Sequence, residues 1–482
     1  MAKTHVKQAP KTRTIKLPVS KYIDTRFRDY AVYVLESRGI PCFYDALTPV
    51  QRYILMSAPT TFQKTLTLVG KAIESGYHHG DSSLTKAISK LARPFGASLQ
   101  VLDGYGFFGS EVCPEPAAAR YTSVKISSKA NEVLKKYSNL ITKEPEGPYN
   151  PFFMDIPLGL TTPIVGIAVG YKTTVLPRKL EDIQKYLDGK IKSLKPHFMN
   201  FEGTVEKYHD LDNSWIISSN VTINGNRIEV RGIPPILKYT SALKRLDFLF
   251  NKFDGVVRIL NNSNTKVNID IVYLGKREEE WKEIKDFIQR VFSVIVTENP
   301  VFVKDGQVLV YESVEQYLDD YRWQLKRIKY HDNLSKRDHL SKELIFNKAK
   351  KEFINFVIAK KRTVEDIDEF LKPYNQGVKN RLEYLTSKKF TKDELEATEL
   401  TIKQLTSDLS TAEVALTNSK DEFESLEDPT TKRGVSSKKV SSNLFEIDDV
   451  KEVNGIYIWD GSDVFEDEEL DTDTDTDDEQ DD

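Results

Sequence analysis

The chain has 482 residues, of which 69 are Lys or Arg and 73 are Asp or Glu, and its formal net charge is −4. This length is enough for two to four domains with a large buried core. Its two cysteines, Cys42 and Cys113, form no CxxC motif, so neither a disulfide framework nor a zinc cluster is indicated. We predict no signal peptide and no membrane span, because no long apolar run occurs, and we expect a cytoplasmic protein.

Charge is distributed unevenly along the chain. Residues 460–482 contain 14 acidic side chains and no Lys or Arg. Without these 14 negative charges, the net charge of −4 becomes −4 + 14 = +10 on the rest of the chain. Residues 1–21 form a basic, proline-containing arm. A basic body with a basic arm indicates a polyanionic partner, although charge runs are also common on ordinary solvated surfaces.

The apolar pattern first divides the chain into a helix-rich part and a strand-rich part. Between residues 22 and 149, short helical patterns alternate with Gly and Pro. Between residues 150 and 312, segments such as NSWIISSNVTI and KVNIDIVYL predict strands. Together the two parts predict a multidomain protein of the α+β class.

The third part, residues 313–428, is predicted to be helical. Between Val314 and Lys361 no Gly or Pro occurs, which predicts a helix too long for an ordinary globular domain. A second helix has a heptad register, with Leu395, Ile402, Leu409, Leu416 and Phe423 at one core position and Thr398, Leu405, Ala412, Ser419 and Leu426 at the other. We therefore predict a long antiparallel coiled coil with a small helical knob at its tip. Residues 429–482 predict a linker and a disordered acidic tail.

Three local motifs carry candidate functional residues. In SSLTKAISKLARPFG, the apolar residues lie on one helical face and Lys86, Lys90 and Arg93 lie on the other, where they could meet phosphates. GYHHGD places His78 and His79 in a Gly-bounded loop whose spacing fits no zinc pattern. AAARYT places Arg120 beside Tyr121, and a tyrosine nucleophile needs such a cation to stabilise its phenolate or a pentacoordinate phosphate. From residue types alone, a packed tyrosine beside a surface arginine is the commoner explanation.

Taken in order, six motifs resemble the breakage-reunion subunit of type IIA DNA topoisomerases, the family of gyrase A and of the C subunit of topoisomerase IV. The motifs are SRGIP at 37–41, LTPVQRYIL at 47–55, GYHHGDSS at 76–83, LDGYGFFGS at 102–110, AAARYT at 117–122 and GIAVGYKTTVLP at 166–177. Each motif alone is weak, but their order and spacing are specific.

The resemblance implies a domain plan. Residues 22–149 would form a winged-helix DNA cleavage domain, and residues 150–312 an α/β tower domain. The coiled coil of residues 313–428 would close the exit gate of a dimer.

The resemblance also implies roles for single residues. Tyr121 matches the nucleophile that becomes linked to a DNA 5′ end, and Arg120 matches its supporting arginine. The positions around the scissile phosphate or its neighbours match Arg38, Arg52, His78 and His79. Ile167 matches the side chain that wedges between base pairs and bends the duplex.

The sequence departs from the family pattern in three places. Thr48 stands where the family usually has lysine, and Phe107 stands where many members have asparagine. The usual YHPHGD is shortened to YHHGD, which favours His79 over His78 as the histidine on the phosphate side. Because Thr48 removes a charge, Lys86, Lys90 and the N-terminal arm are expected to contribute more to phosphate binding.

The resemblance implies cofactors and partners that act outside this chain. The sequence shows neither the P-loop GxxxxGK[ST] nor the family's metal-binding carboxylate pattern, so we expect a large partner subunit to bind both ATP and Mg²⁺. The expected assembly is a homodimer within a larger complex on double-stranded DNA, in the host cytoplasm if the chain is phage-encoded. No repeated strand domain follows the coiled coil, so we expect relaxation and decatenation without active negative supercoiling.

One alternative from a different class stays open at this point. A noncatalytic architectural protein, with a winged helix and a coiled coil that bridge DNA, would explain the basic body, the arm and the heptads equally well. It would not explain why Arg120 and Tyr121 follow the two glycine-containing loops at the family spacing.

Overall fold

The computed structural model describes residues 18–35, 39–137, 152–247, 252–253, 256–275, 278–359, 364–386, 390–424, 452–453 and 456–459. Its α-helices are Val19–Tyr22 (α1), Arg28–Val34 (α2), Pro49–Ser57 (α3), Thr65–Glu74 (α4), Asp81–Ala92 (α5), Ser128–Lys135 (α6), Leu180–Leu187 (α7), Tyr239–Leu246 (α8), Glu278–Val291 (α9), Val314–Ala359 (α10), Val364–Leu371 (α11), Gln376–Glu383 (α12) and Lys392–Glu424 (α13). Within these ranges, no helix combines the length and the apolar character needed to cross a membrane.

The β-strands are short. They are Gln63–Lys64 (β1), Leu102–Tyr105 (β2), Ser123–Ile126 (β3), Ile164–Ala168 (β4), Tyr171–Val175 (β5), Thr204–Tyr208 (β6), Ser214–Ser218 (β7), Asn220–Asn224 (β8), Arg227–Arg231 (β9), Val256–Asn261 (β10), Asn268–Tyr273 (β11), Ser293–Thr297 (β12), Val301–Lys304 (β13), Gln307–Val310 (β14), Glu452–Val453 (β15) and Ile456–Trp459 (β16). Helices and small sheets therefore mix along the chain, in agreement with the predicted α+β class.

The first packed unit joins the four helices α3 to α6 to a three-stranded sheet with the order β1-β3-β2. Both strand contacts are antiparallel. Leu68 of α4, Leu84 and Ile88 of α5 and Val124 of β3 are all wholly buried in one hydrophobic cluster. The predicted apolar face of the helix containing Lys86 and Lys90 is therefore a core face.

Two larger sheets follow. One has the order β10-β11-β9-β8, and the other has the order β15-β16-β12-β7-β6. Helix α9 packs against them through Ile284 and Ile288, both wholly buried. This unit contains a buried ion pair, in which the Arg178 guanidinium donates to the Glu298 carboxylate at 2.7 and 3.0 Å.

The C-terminal region corrects one prediction. The composition of residues 429–482 predicts only a linker and a disordered tail, but β15 and β16 lie within this range. β16 pairs in parallel with β12, with Tyr457, Ile458 and Trp459 opposite Val294, Ile295 and Val296. The physical reason is that IYIW is a short apolar, aromatic and β-branched segment, which suits an unpaired sheet edge better than a linker. The acidic residues 460–482 lie outside the described residues.

Helices α10 and α13 form the predicted antiparallel pair. α10 has 46 residues and is therefore about 70 Å long. Asn333 of α10 donates to the Ala415 carbonyl of α13, and Lys351 pairs with Glu399, so the two helices run in opposite directions. The heptad positions between Leu395 and Ser419 are buried or half-buried, as the register predicts.

Two short helices, α11 and α12, lie between the long helices where the sequence predicts a knob. They pack on α10 through a small cluster that includes Phe353, Leu371 and Leu382. Their pairing with α10 is reinforced by Arg381, which donates to the Glu343 carboxylate at 2.7 and 3.0 Å.

An aromatic cluster joins the start of α10 to the segment before α3. The Tyr317 hydroxyl donates to the Phe43 carbonyl, and the Tyr321 hydroxyl donates to the Tyr44 and Met154 carbonyls, each at 2.8 Å. Phe302 stacks on Tyr317 with ring centroids 4.1 Å apart. Burial raises the pKa of the Tyr317 and Tyr321 phenols well above the ordinary tyrosine value, so these tyrosines serve packing and not nucleophilic chemistry.

Candidate active site

Tyr121 lies at the exposed end of the three-stranded sheet, two residues before β3. Its side chain is 69% exposed, whereas Tyr53, Tyr77 and Tyr137 of the same unit are buried. Its backbone N–H donates to the Ala118 carbonyl at 2.8 Å, which closes a turn just before the strand. The turn and the strand alternation direct Tyr121 outward and Thr122 inward.

Thr122 fixes this turn to the N-terminus of α4. Its carbonyl accepts from the Thr65 N–H at 3.1 Å, and the two threonine hydroxyls lie 2.8 Å apart. Gly106 packs on the other side with φ +108°, and a Cβ there would lie 3.5 Å from the Tyr121 carbonyl oxygen. Two neighbouring segments thus hold the backbone of an exposed tyrosine in place.

Arg120 and the histidines provide polar groups on this unit. The Arg120 guanidinium lies 5.7 Å from the centroid of the Tyr121 ring, and both side chains are exposed. His78 is exposed and its Nδ1 lies 2.8 Å from the Gly76 carbonyl, whereas His79 is half-buried against the Tyr77 ring. All three side chains therefore belong to the loops that flank the sheet and α5.

Helix α5 presents a basic face. Lys86 and Lys90 are exposed on it, opposite the buried Leu84 and Ile88. Arg93, just after the helix, is half-buried, and its guanidinium donates to the Pro114 carbonyl and lies over the Phe95 ring. The two lysines are thus better placed for phosphate than Arg93.

Arg52 is held in a buried ion pair with Asp45. Its motif places it near the scissile phosphate, but it is 6% exposed and its guanidinium donates to the Asp45 carboxylate at 2.6 and 3.0 Å and to the Leu47 carbonyl at 3.1 Å. Asp45 also accepts from the backbone N–H groups of Leu47 and Phe152. These contacts orient Asp45 and the backbone that leads into α3, and the role of Arg52 around the scissile phosphate or its neighbours stays a prediction.

Thr48, the departure from the family's lysine, has a local role at the start of α3. Its backbone N–H donates to the Gln51 side chain at 2.9 Å, and Pro49 occupies the first helical position. Both are features of a stable helix N-terminus.

Ile167 lies in the β4–β5 hairpin and is 46% exposed. The residue belongs to β4 and lies opposite Lys172 of β5. The hairpin packs closely on the segment that contains Gly39, because a Cβ at Gly166 would lie 1.9 Å from the Gly39 carbonyl oxygen. The two glycines fix the hairpin and leave the Ile167 side chain outside.

Several predicted features lie outside the described residues. These are Arg38 and nearly all of the basic arm, of which only residues 18–21 are described. Among the residues that the structure describes, no three or more His, Cys, Asp or Glu side chains form a group that could hold a metal ion. The described part of the chain therefore provides no such group for Mg²⁺.

Sequence reasoning missed Asp45 and the aromatic residues Phe62 and Tyr105. Asp45 shows no distinguishing signal beyond lying seven residues before Arg52. Phe62 precedes β1 and Tyr105 ends β2, and both were detectable only as aromatic residues, because the side of the sheet on which they lie depends on the register.

Comparison with known proteins identifies the family. Residues 38–428 match the family of the A subunits of DNA gyrase and topoisomerase IV. This match covers most of the chain, so the chain belongs to that family, and the resemblance found in its motifs is confirmed.

Individual relatives agree with this identification. The chain is 29% identical to the DNA topoisomerase medium subunit of Enterobacteria phage T4 over 384 residues, which are 72% of this chain and 84% of the relative. It is 26% identical to the A subunit of DNA topoisomerase 4 of Staphylococcus aureus over 375 residues, but this region is only 47% of that relative. The chain thus spans about half of the length of the bacterial relative.

A solved structure shows the same fold. The DNA-binding, cleavage and re-ligation domain of Plasmodium falciparum topoisomerase II superimposes with a TM-score of 0.70 at 19% sequence identity. The superposition covers 84% of this chain and 64% of that chain.

Proposed function

We propose that this chain is the DNA cleavage–religation subunit of an ATP-dependent type II DNA topoisomerase, which relaxes and decatenates DNA. The observation that carries the proposal is Tyr121, an exposed tyrosine beside Arg120 in a chain of the gyrase A family. The reaction is a transesterification that needs no energy input for resealing, because one phosphodiester replaces another.

The chemistry follows from the position of Tyr121. Its phenol oxygen attacks a DNA phosphorus, a phosphotyrosyl bond forms at the 5′ end, and the bond to the 3′ oxygen breaks. The phenol loses its proton and the departing 3′ oxygen gains one. Arg120, and the histidine pair with His79 as the favoured member, would stabilise the extra negative charge on the pentacoordinate phosphate.

DNA binding is assigned to the basic face of α5 and to the β4–β5 hairpin. Lys86 and Lys90 would contact phosphates, and Arg38 and Arg93 would support binding nearby. Ile167 would insert between base pairs and bend the duplex, since an exposed aliphatic side chain on a rigid hairpin suits this role.

The finer domain names belong to the same proposal. Residues 22–149 would form the winged-helix cleavage domain, 150–312 the tower domain and 313–428 the coiled coil with an exit gate. The antiparallel α10–α13 pair supports the third assignment.

Two exposed apolar surfaces support the proposed assembly. The outer side of α4 carries Leu66 and Ile73, which are 55% and 44% exposed and which a second copy of the chain would cover in a homodimer. The segment Val19–Val34 has no buried residue and exposes Tyr22, Ile23, Phe27 and Tyr30. We assign this second surface to the large partner subunit, which would bind ATP and Mg²⁺, in the cytoplasm of the cell that makes the protein.

Detergent quenching of the assembled enzyme tests the proposal. With the partner subunit, Mg²⁺ and duplex DNA, the wild type is expected to form a covalent protein–DNA adduct, and Tyr121→Phe is expected to bind DNA without forming it. Tyr384→Phe is the matched control, because Tyr384 is also strongly exposed but lies at the far knob, and it should form adduct normally.

The same assay distinguishes the proposed cleavage activity from the alternative function. A noncatalytic bridging protein would give no adduct with the wild type under any of these conditions. Equal amounts of adduct from the wild type and from Tyr121→Phe would remove Tyr121 from the mechanism.

A further inference from the structure

The outward side of the three-stranded sheet carries aromatic and basic side chains that the proposed chemistry does not use. Register places Leu102, Val124 and Ile126 on the buried side. It places Lys64, Ser123 and Tyr105 in one row on the opposite side, because Lys64 and Tyr105 both lie opposite Ser123. We name the outward set of Phe62, Lys64, Tyr105 and Lys125 the aromatic face.

The aromatic face is open and its members contact one another. Phe62 and Tyr105 are 49% and 72% exposed, and their ring centroids lie 6.2 Å apart in an edge-on arrangement. The Lys125 ammonium lies 5.0 Å from the Phe62 ring centroid and 3.5 Å from the Asp103 carboxylate. Exposed rings of this size, grouped together, are typical of a surface that binds a ligand or another macromolecule.

The aromatic face is continuous with the candidate active site. Ser123, at the centre of its row, follows Tyr121 by two residues, which corresponds to about 7 Å along a strand. Gly106, which follows Tyr105, packs against the Tyr121 backbone. A DNA strand attached to Tyr121 would therefore begin within reach of the Phe62 and Tyr105 rings.

The chemistry of the face favours unpaired nucleotides over other occupants. Base–aromatic stacking needs an accessible base face, which an intact duplex does not offer but a strand end does. Lys64 and Lys125 flank the rings, and Lys125 also pairs with Asp103, so phosphates next to stacked bases would meet positive charge. Both properties match a nucleic-acid strand better than an apolar protein surface.

We propose that the aromatic face binds unpaired nucleotides of the DNA strand held at Tyr121, which rests on the proposed function of that residue. The face keeps the cut end in position while the break is open. Phe62 and Tyr105 are thus positioning residues for religation and take no part in the bond exchange.

Binding of single-stranded DNA to the full-length chain tests this proposal. Fluorescence anisotropy with a labelled oligothymidylate should give an affinity about tenfold lower for each ring removed in Phe62→Ala and Tyr105→Ala. Tyr384→Ala, which removes an equally exposed ring at the knob, should leave the affinity unchanged. Phe62→Tyr and Tyr105→Phe should retain binding, and wild-type affinity in both alanine variants would overturn the proposal.

Photocrosslinking supplies a test that needs no variant. A cleavage complex formed on DNA with 5-iododeoxyuridine beside the linked phosphate should crosslink to Phe62 or Tyr105, and crosslinks found only elsewhere would contradict the proposal. If the face instead binds the partner subunit, both alanine variants will lose that association and keep single-strand affinity. Absence of any wild-type adduct would refute the proposed function itself. The affinity for single-stranded DNA is measured without cleavage, so failure of the proposed function and failure of this proposal can be told apart.

Discussion

At the scale of single residues, the contrast between Tyr121 and Arg52 shows what motif matching can establish. Both were predicted from short motifs at family spacing. Tyr121 is exposed beside Arg120, whereas Arg52 is buried on Asp45. The motif identifies the position of a residue in the chain. Whether Arg52 is buried depends on the carboxylate that the fold brings beside it, and nothing in the sequence marks Asp45 as that carboxylate.

The buried pair leads to a prediction about stability. Asp45→Ala leaves the Arg52 guanidinium buried without its partner and should lower the free energy of unfolding by about 3–5 kcal/mol. Replacing both residues in Asp45→Ala/Arg52→Met should restore part of that loss, because no charge then remains buried, while the Leu47 and Phe152 N–H groups still lack their acceptor. Urea denaturation followed by circular dichroism measures both effects.

A different result would support the role that the motif implies for Arg52. If Arg52→Met leaves stability unchanged and weakens only duplex binding, Arg52 is a phosphate ligand as the motif suggested.

At the scale of elements, periodicity predicted the long helices well and failed to predict the hairpin around Ile167. The heptad register is confirmed between Leu395 and Ser419, because a repeated apolar spacing has only one helical face to occupy. The position of the β4–β5 hairpin depends on the close approach of Gly39 and Gly166 across a gap in sequence, which no local pattern encodes.

Ile167→Ala is expected to reduce duplex bending while leaving the fold intact, since the side chain is exposed and its loss creates no core cavity. Fluorescence energy transfer between the ends of a short duplex should report the smaller bend. Ile223→Ala is the matched control, because Ile223 is 45% exposed on β8 and should leave bending unchanged. Equal bending by the wild type and Ile167→Ala would show that another group deforms the DNA.

At the scale of the whole molecule, a strand of the C-terminal region, β16, pairs with a sheet whose strands β6, β7 and β12 lie much earlier in the chain. β16 covers the edge of β12, whose residues Val294, Ile295 and Val296 are wholly buried. Composition predicted a linker here because charge and Ser dominate the surrounding residues. A four-residue strand is too short to stand out, and its partner edge becomes visible only in the folded sheet.

Two truncations test this connection. Ending the chain after residue 451 removes the strand and should cost about 1 kcal/mol for each ladder hydrogen bond lost, with faster amide exchange across Ser293–Thr297. Ending it after residue 459 removes only the acidic segment and should preserve both stability and protection. Identical exchange of β12 in the two truncated chains would show that β16 contributes nothing to the sheet.

The central claim is that Tyr121 becomes covalently joined to DNA, and peptide mapping of the adduct tests it most directly. Because Arg120 and Lys125 are trypsin sites, digestion of the nuclease-treated complex should release the peptide Tyr121–Lys125, of sequence YTSVK, with a nucleotide on its tyrosine. The added mass is expected on this peptide. A nucleotide found on any other residue, including the exposed Tyr105, would contradict the role of Tyr121.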